Sequence, residues 1–324
     1  MARFQPIVIL GPTAGGKSEL AVEMAEHLGG EIIGADSMQV YRHLDAGTAK
    51  PSADLRRRAR HHLIDIVDPT EPFTVASWLE RADALIDRLP VQPIVVGGTN
   101  LYIKALLEGM FEGPGQDPQL RADLATLPGT ALHHRLAEVD PAAAERIHHN
   151  DRKRLIRALE VFELTGTPIS ELQQQWVQEP GTKSSTSKVQ SPKSKNAGRG
   201  RRNAILIGLS WPTETINRRI NARVKSMFQP ATGESLPDET RRLESLGVLG
   251  SQARRALGYQ QVLEWIEGRG SLDDAFERTK IFTRRFAKHQ RTWMRRFEQV
   301  HWLEAENTNH RCLLNMALTA VKAK

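Results

Sequence analysis

The stretch Ile7-Val-Ile-Leu-Gly-Pro-Thr-Ala-Gly-Gly-Lys-Ser18 decides how the rest of the chain reads. Ile7–Leu10 is a short apolar run suited to a buried strand. Gly11, Pro12, Thr13, Ala14, Gly15, Gly16, Lys17 and Ser18 then match the pattern G-x-x-x-x-G-K-[ST]. Leu20, Met24 and Leu28 follow at helical spacing, and Gly29-Gly30 stops the helix. In that context the match is specific, since composition alone yields on the order of 0.01 such matches per chain. The glycines let backbone N–H groups converge on phosphate oxygens at a helix N-terminus. Lys17 would neutralise a terminal phosphate, and Ser18 would hold a Mg2+ bridging its oxygens.

Strand, glycine-rich loop and helix open a parallel α/β sheet, and the neighbouring runs extend it. Glu31–Ala35, Pro93–Val96 and Ala204–Leu209 read as further buried strands. Between residues 115 and 176 the strand signal lapses, and Asp117–Leu127, Ala131–Val139 and Asp151–Leu164 read as helices. The expected architecture is a P-loop-type parallel sheet flanked by helices, with an inserted all-helical domain. Residues 1–115 and 203–324 would form the core and 116–202 the insertion. The insertion ends in a Ser- and Lys-rich stretch, 178–202, with almost nothing to bury, which reads as a flexible linker. Thr213–Met227, Asp238–Leu246, Gln252–Glu267 and Leu272–Phe297 are expected to be helices.

The 324 residues are 40% hydrophobic and 26% charged, a globular composition. Cys312 is the only cysteine, which excludes a disulfide scaffold and a cysteine-built zinc site. No apolar run approaches the ~20 residues of a membrane span, and Met1–Leu10 lacks a secretory layout, so a cytoplasmic location is expected. Lys and Arg number 45 against 38 Asp and Glu, a net +7. That excess is concentrated. Lys183–Arg202 holds seven basic residues and Arg278–Arg296 eight, neither with an acid, so the remaining 285 residues carry a net −8. At about 100° per residue from Phe282, Phe286, Trp293 and Phe297 fall near 40°, 20° and 60°. On the same rule Arg284, Lys288, Arg291 and Arg295 fall between about 180° and 240°. An aromatic, buried face backed by a cationic stripe fits contact with a phosphate backbone.

Strand ends supply the chemistry in open parallel sheets. Asp36 ends the second strand and Thr99 the third, so both should face the crevice beside the phosphate loop. Asp36 could act as a general base or metal ligand, or simply cap the following turn. Pro93–Val96 runs into Gly97-Gly98-Thr99-Asn100 and Ala204–Leu209 into Ser210-Trp211-Pro212. Neither end offers the acid that an ATPase or kinase uses to support Mg2+. That leaves open some other diphosphate whose departure the loop assists.

Nine segments occur in order: Gly11–Ser18, Asp36-Ser-Met-Gln-Val-Tyr41, Gly47-Thr-Ala-Lys-Pro51, His61-His-Leu-Ile-Asp65, Gly97-Gly-Thr-Asn-Leu-Tyr102, Arg154-Leu-Ile-Arg-Ala-Leu-Glu160, Arg219-Ile-Asn-Ala-Arg223, Leu257-Gly-Tyr259 and Thr283–Trp293. Together they make the chain resemble the tRNA isopentenyltransferase family from Ile7 to about Leu303. The resemblance implies transfer of a dimethylallyl group from dimethylallyl diphosphate to N6 of the adenosine at tRNA position 37. It implies that Gly11–Ser18 binds the diphosphate, that Asp36 is the base, and that Thr99 meets the reacting end. Lys17, Ser18-bound Mg2+ and Arg223 would stabilise the leaving diphosphate. Its tRNA contacts carry over to Asp36, Ser37, Met38, Gln39, Thr99, Arg121, Lys153, Arg154, Arg157, Arg255, Gly258, Tyr259, Gln260, Arg284, Arg285, Lys288 and Gln290. The inserted domain would clasp the anticodon stem-loop, and the chain is expected to act as a monomer. Asn100 stands where bacterial members usually have Gly, and His289 where Arg is common. The alternatives are an isopentenyltransferase acting on free adenylate, a P-loop small-molecule kinase, and a non-catalytic RNA-binding protein.

Overall fold

A computed structural model describes residues 4–110, 113–174 and 202–323. The chain divides into two compact units, Met1–Leu107 with Arg202–Lys324, and Glu108–Arg201. The expected boundary after residue 115 therefore lies inside the second unit. The first unit opens with β1 (Ile7–Leu10), α1 (Lys17–Leu28), β2 (Glu31–Gly34), α2 (Ala53–Arg58), β3 (His61–His62), α3 (Val75–Arg88), β4 (Pro93–Val96) and α4 (Asn100–Glu108). The helical unit holds α5 (Pro118–Thr126), α6 (Gly129–Val139), α7 (Pro141–Arg146), α8 (Arg152–Thr165) and α9 (Ile169–Gln174). The chain then returns through β5 (Ile205–Ser210), α10 (Thr213–Phe228), α11 (Leu236–Ser245), α12 (Tyr259–Ile266), α13 (Leu272–Met294), β6 (Val300–Glu304) and α14 (His310–Lys322).

All six strands run parallel, in the order β3-β2-β4-β1-β5-β6. Ile7 stands level with Ile94 on one side and Ile205 on the other, so the loop after β1 leaves from the middle of the sheet. Strand alternation sends side chains to two cores. Ile7, Ile9, Ile32, Ile94 and Ile207 pack under α1 and α14 with Leu20, Met24, Leu314 and Ala317. Val8, Leu10, Ile33, Val95 and Leu206 pack on the opposite face with Trp78, Tyr102, Ile103 and Ile220. Both faces are covered, as a parallel sheet requires. The helical unit closes its own core around Leu124, Leu132, Leu136, Leu155 and Leu159.

Three expectations about elements change. Two strands, β3 and β6, join the four read from sequence. The predicted helix over Gln252–Glu267 is broken: a 3-10 turn at Ala253–Arg255 precedes α12, and Gly258 between them sits at φ 95°, a conformation that interrupts a helix. On α13 the buried positions are Ala275, Thr279, Ala287, Gln290 and Met294, not the aromatic row. Phe282, Trp293 and Phe297 are half-buried beside that row, and Phe286 is 44% exposed. Of the basic stretch 178–202, only Arg202 lies within the described residues; it pairs with Asp83 and Asp87 on α3. The linker expectation otherwise falls outside them. No helix among the described residues is long and apolar enough to cross a membrane.

Candidate active site

The phosphate loop takes its shape from two left-handed residues, Ala14 at φ 60° and Gly16 at φ 84°, with Gly16 capping α1. Gly15 N donates to Pro12 O (3.1 Å) and closes the turn. Three side chains grip the loop from β5 and α10. Trp211, at the end of β5, donates its indole N–H to Gly15 O (3.0 Å). Arg219 donates to Ala14 O (2.8 Å) and stacks over the Trp211 ring at 4.6 Å. Arg223, one turn on, donates to the Thr13 hydroxyl (3.0 Å). Sequence analysis singled out Arg223 but passed over Trp211 and Arg219. The signal was there: β5 neighbours β1, so its first loop residues must border the phosphate loop, and positions 219 and 223 share a helix face.

Lys17 folds back over the loop, donating to Gly11 O (2.9 Å) and Pro12 O (2.8 Å). Burial first, and then the nearby Arg223 guanidinium, pull its ammonium down to about 8, while Asp36 and Glu19 act in the opposite sense. Burial likewise lowers Arg223. Two cations held this close in a half-buried crevice are poised for an anion, whose arrival would relieve their mutual repulsion. Ser18 lines the same crevice.

Across the crevice, Asp36 serves both of the readings open to it. Its Oδ1 accepts from Met38 N (2.9 Å) and Gln39 N (3.3 Å), capping the turn after β2. Its Oδ2 takes no hydrogen bond from the described residues and faces Gly98. The carboxylate is thus held by one oxygen with the other available for a proton. The Thr99 hydroxyl accepts from Ser37 N (2.9 Å) and lies 3.3 Å from the Ser37 hydroxyl, joining the ends of β2 and β4. The Gln39 amide donates to Thr48 O (3.0 Å) and Ala49 O (3.2 Å), which closes the long loop beside the crevice. Thr13, Lys17, Ser18, Asp36, Gln39, Gly98, Arg223, Phe286 and Gln290 all line one cavity. A phosphate cradle and a carboxylate with a free oxygen therefore share one opening.

These features meet what the comparisons show. Residues 39–297 match the family model described as IPP transferase, and residues 5–67 match the one described as isopentenyl transferase. The chain belongs to the IPP transferase family. It is 44% identical over 308 residues to the tRNA dimethylallyltransferase of Geobacter sulfurreducens, covering 92% of this chain and 91% of that protein. The enzyme of the same name from Anaeromyxobacter dehalogenans is 42% identical over 304 residues, covering 92% of each. Among solved structures, the tRNA isopentenylpyrophosphate transferase of Bacillus halodurans superposes with a TM-score of 0.67 at 32% identity, over 98% of this chain and 99% of that one. A eukaryotic dimethylallyltransferase acting on tRNA superposes with a TM-score of 0.71 at 25% identity, over 94% of this chain and 74% of that one.

Family resemblance placed further residues against RNA, and their surroundings differ. Arg255 and Gln260 are exposed around the start of α12, and Arg285 and Lys288 are exposed on α13. Arg284 donates to Asn221 (2.9 Å) on α10. Tyr259, by contrast, has no exposed surface. Its hydroxyl donates to Glu239 and accepts from Gly47 N (3.1 Å), and burial followed by the Glu239 charge pushes the phenol up. Gly258 is buried too. These two residues shape the turn and pin the 45–47 loop, with nothing exposed to offer a ligand in this structure. Gln290 is 2% exposed and faces inward, to the phosphate loop. In the helical unit Lys153 and Arg154 are exposed, whereas Arg121 and Arg157 both close on the buried carboxylate of Glu160.

Proposed function

We propose that this chain transfers a dimethylallyl group from dimethylallyl diphosphate to N6 of the adenosine at position 37 in the tRNA anticodon stem-loop, releasing diphosphate. The observation that carries the reading is the shared opening of the Lys17–Arg223 phosphate cradle and the free Oδ2 of Asp36, in a member of this family. The bond from the donor C1 to the diphosphate oxygen breaks and its electron pair leaves with diphosphate. N6 forms the new bond to C1, and its proton passes to Asp36 Oδ2. The exocyclic amine is a weak nucleophile because its lone pair is delocalised into the ring, so a base acting as the bond forms is worth about 10²–10⁴ in rate. Lys17, Arg223 and the loop N–H groups meet charge that builds up only as the diphosphate departs. Thr99 keeps Ser37 and the Asp36 turn in place through its bond to Ser37 N.

Among the described residues no group of three or more His, Cys, Asp or Glu is placed to hold a metal. The donor set instead suits a hard cation with few protein ligands, which would take oxygens from Ser18, the diphosphate and water. Mg2+ bound there would neutralise charge on the leaving group. The target base must leave its stack to reach the crevice. The proposed working unit is a monomer.

The test is incubation of the protein and Mg2+ with labelled dimethylallyl diphosphate and either unmodified tRNA or free AMP. Label in tRNA alone is expected; label in AMP would favour the adenylate enzyme, and label in neither would overturn the reading. Asp36→Ala should keep tRNA binding and lose most turnover.

A further inference from the structure

Gln290 is the one side chain of α13 that bonds to both loops of the reaction crevice. Its Oε1 accepts from Thr13 N (2.8 Å) in the phosphate loop. Its Nε2 donates to Gly98 O (2.9 Å), the residue before Thr99. Its own carbonyl accepts from the Asn100 amide (3.2 Å), so the 98–100 turn holds the residue by main chain and side chain together. A Cβ at position 98 would stand 2.5 Å from Nε2, so only glycine lets the amide approach this closely. On the other loop, Thr13 is held at both of its polar ends, by Gln290 at its N–H and by Arg223 at its hydroxyl.

We infer that Gln290 is a positioning residue for prenyl transfer: it fixes the distance between the phosphate loop, which carries the donor, and the Asp36–Thr99 side, which receives the amine. The inference rests on the proposed transfer reaction, and it assigns Gln290 this inward role in place of a contact with RNA. A carboxamide suits the task, because one end accepts from a peptide N–H while the other donates to a peptide C=O. At 2% exposure neither bond competes with water, so both keep their geometry. Transfer depends on C1 and N6 being brought to within about 3–3.5 Å in line, and a misplacement of about 1 Å costs about 10²-fold. The adjacent residues of α13 bond elsewhere or face outward: Lys288 and His289 are exposed, and Arg291 reaches Thr213.

Gln290→Met keeps the length and bulk of the side chain and removes both hydrogen bonds; Gln290→Ala removes the packing as well. The measurements are single-turnover transfer at saturating donor and tRNA, separate equilibrium binding of tRNA and of dimethylallyl diphosphate, and thermal melting. Both variants should lose about 10- to 100-fold in the saturated transfer step, with tRNA affinity changed less than about three-fold. If Gln290→Met transfers at the wild-type rate, the residue is a packing element and the inference fails. It fails equally if the saturated rate is kept while tRNA affinity falls, since that is an RNA contact. Should Gln290→Ala melt before assay, Gln290→Met still decides the question. Absence of transfer by the wild-type protein would instead overturn the reaction itself, a result distinct from any of these.

Discussion

Two helices of this protein, α8 and α13, look alike in sequence and are used differently. Each sets arginine and lysine against an apolar face: Arg152, Lys153, Arg154 and Arg157 on one, and Arg284, Arg285, Lys288 and Arg291 on the other, with Arg295 capping its C-terminal end. On α8 two of the four cations, Arg152 and Arg157, are turned to partners within the helical unit, while Lys153 and Arg154 are exposed. Arg157 and the α5 residue Arg121 share the carboxylate of Glu160, which has no exposed surface and also accepts from Asp117 N (2.8 Å). Arg152 is spent on the carbonyls of Leu127 and Ala125 at 2.6 Å each. On α13 no carboxylate among the described residues pairs with Arg284, Arg285, Lys288, Arg291 or Arg295. Where these side chains bond at all, they meet neutral groups such as Asn221 and Thr213. Counting basic residues therefore overstates what α8 can offer a polyanion. More of the available charge is on α13, where a phosphate backbone would meet cations that need not abandon a carboxylate.

The strongest way to break this comparison is to remove the acid at the centre of α5 and α8. Glu160→Ala leaves two arginines facing a buried space, and breaking such a pair costs about 3–5 kcal/mol. Hydrogen exchange of the α5–α8 amides should report that loss, with the first unit's amides unchanged. If protection in the helical unit survives, the inward arginines are not structural and the contrast collapses. The next test works on α13. The combined Arg285→Ala, Lys288→Ala and Arg295→Ala protein should bind tRNA with a log K against log salt slope shallower by about 2–3. Arg121→Ala should shift that slope by less than about 1 and register instead as lost protection in the helical unit.

How much of this was legible beforehand depends on whether a feature is local. The phosphate loop, β1 and α1 were readable to the residue because strand, glycines and helix spacing lie within one short stretch. The two missed strands carry no such local signal. His61–His62 is two polar-edged residues long, and Val300–Glu304 is an edge strand with only Leu303 buried; both exist because a neighbouring strand presents free N–H and C=O groups. Asp36 could be placed at a strand end, yet the division of labour between its two oxygens depends on how the following turn folds back. The face of α13 was misjudged for a related reason. Aromatic spacing says which residues lie together, whereas the neighbours decide which side is buried, and here small residues and Gln290 fit against the core. The grip of Trp211, Arg219 and Gln290 on the phosphate loop joins residues about 200 to 280 positions apart, which no local pattern encodes.

The smallest effect expected is also the one that isolates a single group, and it is a pH dependence confined to the helical unit. Burial alone would raise the Glu160 carboxyl, but the hydrogen bonds from Arg121, Arg157 and Asp117 N outweigh it and hold the group at about 2, against about 4.5 when free. A folded-state value below the unfolded one means that the stabilisation is fully present above about 4.5 and drains away as the pH falls toward 2. Protection of the α5–α8 amides should therefore fall through that window in the wild-type protein. Glu160→Gln, which cannot titrate, should flatten this part of the profile. The stripe of Arg284, Arg285, Lys288, Arg291 and Arg295 has no such acid partner among the described residues, whereas Arg278 and Lys280 nearer the start of α13 do. No matching loss is therefore predicted for the amides around the stripe across the same range. A parallel loss in both helices would mean that acid acts on the whole chain rather than on this buried pair, and the distinction between inward and outward arginines would lose its simplest energetic support.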